Sequence, residues 1–211
     1  MPTTGTPPSS TAGSSGGDGE RPVSLGSSSG QSVAAARLLG TVLVTQPRLL
    51  SWLAPFSWAA LIFVLSSGQP SLGGFDLGAF GGFLMNLAHP GVFGVLALLL
   101  IPLFGRRKGP HGLRWTAISP VGALWLVALV SLYGFTDEVH QSMVEGRDAS
   151  LLDSLSDAVG AYFVVRVTLY LSREDANTAG LLRWLLAGLA TSVASAGLAT
   201  WYSATAGSGP W

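Results

Sequence analysis

The feature that most constrains this chain is the alternation of long apolar runs with short polar breaks between about residues 50 and 203. A helix that crosses the hydrocarbon core of a bilayer needs roughly 20 apolar residues. Five segments approach or reach that length, and they cover residues 50–67, 83–104, 117–138, 151–172 and 180–203. The sequence therefore predicts an all-α, polytopic membrane protein with about five transmembrane helices.

Composition supports the membrane prediction. Charged residues make up 10% of the chain and hydrophobic residues 48%, whereas a soluble domain carries about 25% charged residues. The formal net charge is zero, so we expect no nucleic-acid partner. Membrane lipids are the expected partners. The chain has no cysteine, which excludes disulfides, thiolate metal sites and thiol nucleophiles.

The amino-terminal part differs from the rest. Residues 1–32 are mostly Ser, Gly, Thr and Pro, and such a segment buries too little apolar surface to become ordered. The stretch "VAAARLLGTVLVTQPRLL" that follows could form a short helix on the membrane surface, ending at Pro47. We therefore divide the chain into a disordered, low-complexity cytoplasmic tail (1–46) and a helical transmembrane domain (47–205).

Basic residues predict the orientation. They precede the first span, fill the loop "GRRKGPHGLR" between the second and third spans, and recur between the fourth and fifth. The alternate loops contain one basic residue, Arg147. Loops rich in Lys and Arg stay in the cytoplasm, so we expect the amino terminus inside and the carboxyl terminus outside the cell.

Acidic residues gather in one stretch, "FTDEVHQSMVEGRDASLLDSLSDAVGAY", which holds six of the eleven in the chain. In this topology the stretch is the outer end of the third span, the outer loop and the start of the fourth span. Asp137, Glu138, His140 and Gln141 are spaced so that a helix places them on neighbouring positions. His89, in "NLAHPGVFG", enters near the outer end of the second span. The alternative is an ordinary solvated helix end.

Three residues of the loop and fourth span extend this set. Asp153 follows Ser150 by three positions and fits a capping box, although it also remains a candidate ligand-binding residue. Asp157 lies one turn deeper, where a carboxylate is costly unless it faces a partner or a wet cavity. Arg147 could hold a phosphate or carboxylate through paired hydrogen bonds, or pair with Glu145 or Asp148.

Cofactor motifs are absent from the sequence. It contains no phosphate-binding glycine motif, no His-Glu-x-x-His and no Gly-x-Ser-x-Gly, so we predict no cofactor. A zinc site would have to be assembled from His89, His140, Glu138, Asp153 and Asp157. Two histidines on separate spans are weak evidence for such a site, and we predict no metal.

The stretch "TDEVHQSMVEGRDASLLDSLSDAVGAY" resembles the signature of VanZ-like membrane proteins. That signature has Asp-Glu-x-His-Gln, a Gly-Arg in the loop, then Asp, an Asn four residues later, and Gly. "FVLSSGQP" resembles the serine-containing end of that family's first span, and "NLAHPGVFGVLALLL" resembles its histidine-bearing second span. The resemblance covers about residues 50–172. This chain departs from the family at Asp157, where Asn is usual, and at Met85, Asn86 and Phe93 around the histidine.

The resemblance implies an integral membrane protein of the bacterial cell envelope, associated with resistance to the glycopeptide antibiotic teicoplanin. The family's polar positions fall on these residues: His89, Asp137, Glu138, His140, Gln141, Gly146, Arg147, Asp153, Asp157 and Gly160. We expect an outward-facing site that binds or modifies a lipid-linked or glycopeptide-like ligand. The alternative is a non-catalytic scaffold or partner-binding module whose polar cluster is a structural clamp.

Whether the chain is an enzyme stays open. In an enzymatic version, Asp137 or Glu138 acts as general base and His140 or His89 relays the proton. Gln141, Arg147, Asp153 and Asp157 then contribute to ligand binding, with Arg147 on a phosphate.

The orientation leads to a labelling prediction. A single cysteine at Ser142 should react with a membrane-impermeant thiol reagent on intact cells, because that position lies in an outer loop. A cysteine at Gly109, in the basic loop, should be protected until the membrane is broken. The reverse labelling pattern would show that the predicted orientation is wrong.

Overall fold

The computed structural model describes residues 28–68, 78–104, 107–108, 114–115, 118–145 and 149–206. Its helices are α1 (Ser28–Thr45), α2 (Arg48–Ser66), α3 (Gly78–Leu100), α4 (Pro120–Gln141), α5 (Leu151–Leu171) and α6 (Thr178–Ala206), with a 3₁₀ turn at Ile101–Leu103. A two-residue antiparallel hairpin pairs β1 (Arg107–Lys108) with β2 (Arg114–Trp115). The predicted all-helical fold is confirmed. Of the tail predicted to be disordered, residues 1–27 lie outside the described residues, whereas residues 28–32 form the start of α1.

Four of these helices, α2, α3, α4 and α6, are long and apolar enough to cross a membrane, and the chain is a multi-pass membrane protein. The fourth predicted span corresponds to α5, which has 21 residues but carries Asp153, Asp157 and Arg166. It contacts α1, α3, α4 and α6. Because other helices surround α5, its polar side chains are turned toward protein and away from lipid.

Arg166 illustrates how α5 keeps its polar groups within the protein. The sequence predicts that this side chain extends toward the membrane surface. In the structure its guanidinium lies over the ring of Trp184 on α6, 4.4 Å from the ring centroid. A cation over the face of an indole ring is held by electrostatic attraction, so Arg166 joins α5 to α6.

The start of α3 differs from the prediction. The second span was expected to begin at residue 83, but α3 begins at Gly78. His89 therefore lies about three turns into the helix, or about 16 Å along its axis, and the expectation that it sits near the helix end is wrong. The glycines in "GAFGG" disfavour a helix, which is why the sequence predicted a later start. A segment that enters lipid nevertheless forms a helix, because its backbone N–H and C=O groups must hydrogen-bond to each other.

The core fills the space between α2, α3, α4 and α5. Phe93 is 1% exposed, and Leu126 and Val130 of α4 are fully buried. The other buried members of this core are Ile62, Leu96, Ala97, Ile101, Ile118, Ala123, Ala161 and Val165. Trp58 also crosses from α2 to α3, where its indole N–H donates to the Val92 carbonyl at 2.9 Å. These contacts hold α2 against α3 and α4, and both of these helices contact α5.

The helices α3 and α5 approach each other backbone to backbone. The carbonyl of Pro90 packs directly on Gly160, so a Cβ at Gly160 would overlap the Pro90 backbone. Gly94 lies on the same side of α3, where a Cβ would be 3.6 Å from the Gly160 oxygen. Small residues at such crossings let membrane helices approach backbone to backbone. This crossing places the turn containing His89 beside the turn containing Asp157.

A second attachment holds the other end of α5. Arg37 of α1 is 5% exposed, and its guanidinium donates to the carbonyls of Leu171 (3.0 Å) and Arg173 (2.6 Å). The last carbonyls of a helix have no intrahelical partner, and a cation there is favourable.

The predicted boundary between residues 46 and 47 falls in the short link between α1 and α2.

The α3–α5 crossing can be tested with two glycines. We expect Gly160→Ala to lower the melting temperature in detergent, because the added methyl forces the two backbones apart at a cost of about 1–3 kcal/mol. Gly91→Ala is the matched control, since a Cβ there meets nothing within 4 Å and alanine favours helix. Equal melting temperatures for the two variants would contradict the described crossing.

Candidate functional site

Three helices bring one histidine and two carboxylates together. Nδ1 of His89 (α3) lies 3.0 Å from Oδ1 of Asp157 (α5), a hydrogen-bonding distance. Glu138 of α4 completes the group, which we call the central cluster: one side-chain N or O atom from each residue lies within 4.8 Å of the others. Glu138 and Asp157 have no exposed surface, whereas the His89 side chain is 19% exposed. His89 is therefore the one member of the cluster whose side chain has exposed surface.

Gly134 explains how α4 comes so close to Asp157. It lies one turn before Glu138 on the same face of α4. A Cβ at Gly134 would lie 2.9 Å from the Cβ of Asp157 and closer still to its carboxylate. The Asp157 side chain thus fills the space that any larger residue at Gly134 would occupy. This glycine was not among the predicted site residues, although its spacing of four residues from Glu138 places both on one face of the helix.

Glu138 also caps the next helix. Its Oε2 accepts a hydrogen bond from the backbone N–H of Ser150 at 2.8 Å, while Ser150 Oγ accepts from Leu152 N–H at 3.2 Å. In the predicted capping box, Asp153 was to bind the Ser150 N–H. That assignment is wrong, because α4 ends beside the start of α5 and Glu138 reaches the same donor.

Several buried oxygens in this region lack partners. Oε1 of Glu138, Oδ2 of Asp157 and Oδ1 of Asp137 are buried and accept no hydrogen bond from any described residue. Leaving a charged acceptor unsatisfied away from water is costly. Asp153, which is 8% exposed, adds negative charge within electrostatic range of the whole central cluster. The region is therefore rich in acceptors and poor in donors.

The other predicted residues form two separate groups. Nε2 of Gln141 donates to Oδ2 of Asp137 at 2.8 Å, and both side chains are 4% exposed. The hydroxyl of Ser67 donates to the Phe63 carbonyl at 2.6 Å, which leaves its oxygen to accept from Nε2 of His140 at 3.0 Å. The His140 ring stacks on Phe63 with centroids 4.3 Å apart. His140 therefore joins α4 to α2 and lies outside the central cluster.

Arg147, the predicted phosphate ligand, lies outside the described residues. Ser67 was not among the predicted site residues, although it belongs to "FVLSSGQP", one of the segments behind the family resemblance. Ser156 was also missed: it is fully buried, next to Asp157, and its hydroxyl has no hydrogen-bond partner among the described residues.

Comparison of the chain with protein-family models, curated proteins and solved structures finds no match. The chemistry of the site therefore has to be argued from its own geometry. An imidazole in contact with a carboxylate can accept and pass on a proton. A nitrogen and two carboxylate oxygens within a few ångströms can also hold a cation.

The contact between His89 and Asp157 can be measured by a double-mutant cycle. We expect His89→Ala and Asp157→Ala each to destabilise the protein, and the double variant to lose at least about 1 kcal/mol less than the sum, because the residues are in direct contact. His89→Ala combined with Asp175→Ala is the control, since Asp175 is in an exposed ion pair with Arg173. Additivity within about 0.5 kcal/mol for the first pair would contradict the contact.

Proposed function

We propose that this protein is a VanZ-like protein of the bacterial inner membrane that binds or modifies a lipid-linked or glycopeptide-like ligand and so contributes to protection against teicoplanin. The observation that carries the proposal is the convergence of His89, Glu138 and Asp157, which come from three helices. All three belong to the polar set on which the resemblance rests. Burying ionisable side chains in a membrane protein costs free energy, so residues kept there are candidates for a function.

The arrangement of helix ends supports an outward-facing site. The bonds between Ser67 and His140 and between Glu138 and Ser150 bring the ends of α2 and α4 and the start of α5 to one side of the bundle. The basic hairpin contacts α1, and Arg37 of α1 binds the opposite end of α5. Basic segments remain in the cytoplasm, so in this proposal the amino terminus is inside and the carboxyl terminus is outside.

In the enzymatic version the proton passes through the central cluster. Glu138 takes a proton from a ligand hydroxyl, and the partly exposed His89, oriented by Asp157, exchanges it with solvent. Asp137 and His140 lie outside the central cluster, where they are hydrogen-bonded to Gln141 and Ser67. The role of Arg147 in holding a phosphate stays a prediction.

A second candidate function, the structural clamp, also has a specific observation in its favour. Glu138 binds Ser150, His140 binds Ser67 and Asp137 binds Gln141, so much of the hydrogen-bonding capacity of the acidic stretch is used within the protein. The first two of these bonds connect different helices. A scaffold that presents another surface to a partner would need the same contacts.

Near-isosteric substitutions separate the two functions. In a susceptible bacterium that expresses the chain, we expect His89→Asn, Glu138→Gln and Asp157→Asn each to return the inhibitory concentration of teicoplanin to that of cells without the protein. Membrane level and melting temperature should change little, because the new side chains keep their size and can still form hydrogen bonds. Glu145→Gln, an exposed loop position, is the matched control and should keep protection.

The clamp gives a different pattern. Breaking a buried pair costs about 3–5 kcal/mol, so protein level and protection would fall together across the three variants. Full protection in all three variants would exclude a role for the central cluster in protection.

A further inference from the structure

The charges of the central cluster are not balanced by the residues around it. Two carboxylates, Glu138 and Asp157, are fully buried beside one imidazole, and each keeps an oxygen without a hydrogen-bond partner in the described part of the chain. No lysine or arginine of the described residues forms an ion pair with either carboxylate. Asp137 and Asp153 increase the negative potential. Such a site attracts a cation of charge +2, which would neutralise both carboxylates.

The spacing of the donor atoms matches a metal site. Ligand atoms around a tetrahedral Zn²⁺ lie about 3.3 Å apart, given bonds of about 2.0–2.1 Å. Nδ1 of His89 and Oδ1 of Asp157 are 3.0 Å apart, and the whole set lies within 4.8 Å. Small side-chain rotations would bring the third donor to the same distance.

We propose that His89, Glu138 and Asp157 form a binding site for one divalent transition-metal ion, Zn²⁺ or Mn²⁺. An imidazole favours zinc over magnesium or calcium, and two carboxylates accommodate either zinc or manganese. Three protein ligands leave at least one coordination position open, as in catalytic sites. A phosphate or hydroxyl oxygen of a ligand would fill that position.

The neighbours of the cluster fit the role of supporting residues. Ligating carboxylates are usually oriented by hydrogen bonds on their second oxygen. The backbone N–H of Ser150 holds Oε2 of Glu138 at 2.8 Å, which leaves Oε1 for the metal. Gly134 provides the space that Asp157 needs. From sequence, two histidines on separate spans were weak evidence for a metal site. In the structure His140 binds Ser67 instead, and His89 is grouped with the carboxylates of Glu138 and Asp157.

This inference rests on the same site as the proposed function and deepens it, but the two can fail separately. Bound metal without glycopeptide protection would reject the proposed function alone. Protection by a protein that binds no metal would reject this inference alone.

The test measures metal in the full chain purified in detergent. After titration with Zn²⁺ or Mn²⁺ and removal of free ion, we expect about one equivalent per chain by elemental analysis. His89→Gln, Glu138→Gln and Asp157→Asn should each weaken binding by at least about 100-fold. His140→Gln and Asp175→Asn are controls for a histidine and an acid outside the cluster, and both should retain the metal.

The wild-type protein provides a second measurement that needs no variant to fold. A chelator should lower its melting temperature, and Zn²⁺ or Mn²⁺ should restore it, because a ligand of the folded state stabilises that state. Less than about a tenth of an equivalent of metal in the wild type would overturn the proposal, and so would an unchanged melting temperature. Equal loss of metal in the controls and in the cluster variants would also overturn it.

Discussion

The contact between the Pro90 carbonyl and Gly160 is the constraint on which the site depends. It brings the backbones of α3 and α5 so close that only glycine fits at residue 160. Proline at residue 90 cannot donate to the Asn86 carbonyl and so leaves a break in the helical bonding of α3. His89 and Asp157 are the neighbouring polar residues on either side of this crossing, and their 3.0 Å contact follows from it.

The position of α5 at the centre of the bundle resolves the conflict between its polarity and the membrane. Lipid cannot satisfy Asp153, Asp157 or Arg166, so a position among other helices is favoured. There His89 of α3 binds Asp157, and Trp184 of α6 packs on Arg166. The apolar helices α2, α3, α4 and α6 present large exposed hydrophobic side chains, including Trp52, Phe80, Trp125 and Trp201, as a surface suited to lipid. The polar side chains of α5 are thus surrounded mainly by protein and not by lipid.

The fold was largely readable from sequence, because runs of about 20 apolar residues have few alternatives in a bilayer. Predicted and observed helix boundaries agreed to within a few residues except at the glycine-rich start of α3. There the low helix propensity of glycine is opposed by the need to pair backbone hydrogen bonds in lipid. The grouping of His89, Glu138 and Asp157 was predicted only as part of a larger set. Periodicity shows which face of a helix a residue occupies, but not which helix that face meets. His140 and Glu138 are two residues apart, and this spacing turns them toward different partners, Ser67 and Ser150.

The hydrogen bonds from Arg37 to the carbonyls of Leu171 and Arg173 anchor the end of α5 that lies opposite the central cluster. Its 21 residues amount to a rod of about 31 Å, close to the hydrocarbon thickness of a bilayer. A helix resists compression along its axis, so an axial slide that separated Asp157 from His89 would also pull Leu171 and Arg173 away from Arg37. The two ends of α5 are therefore mechanically connected, so that a displacement of the end at Arg37 also moves the end that carries Asp157.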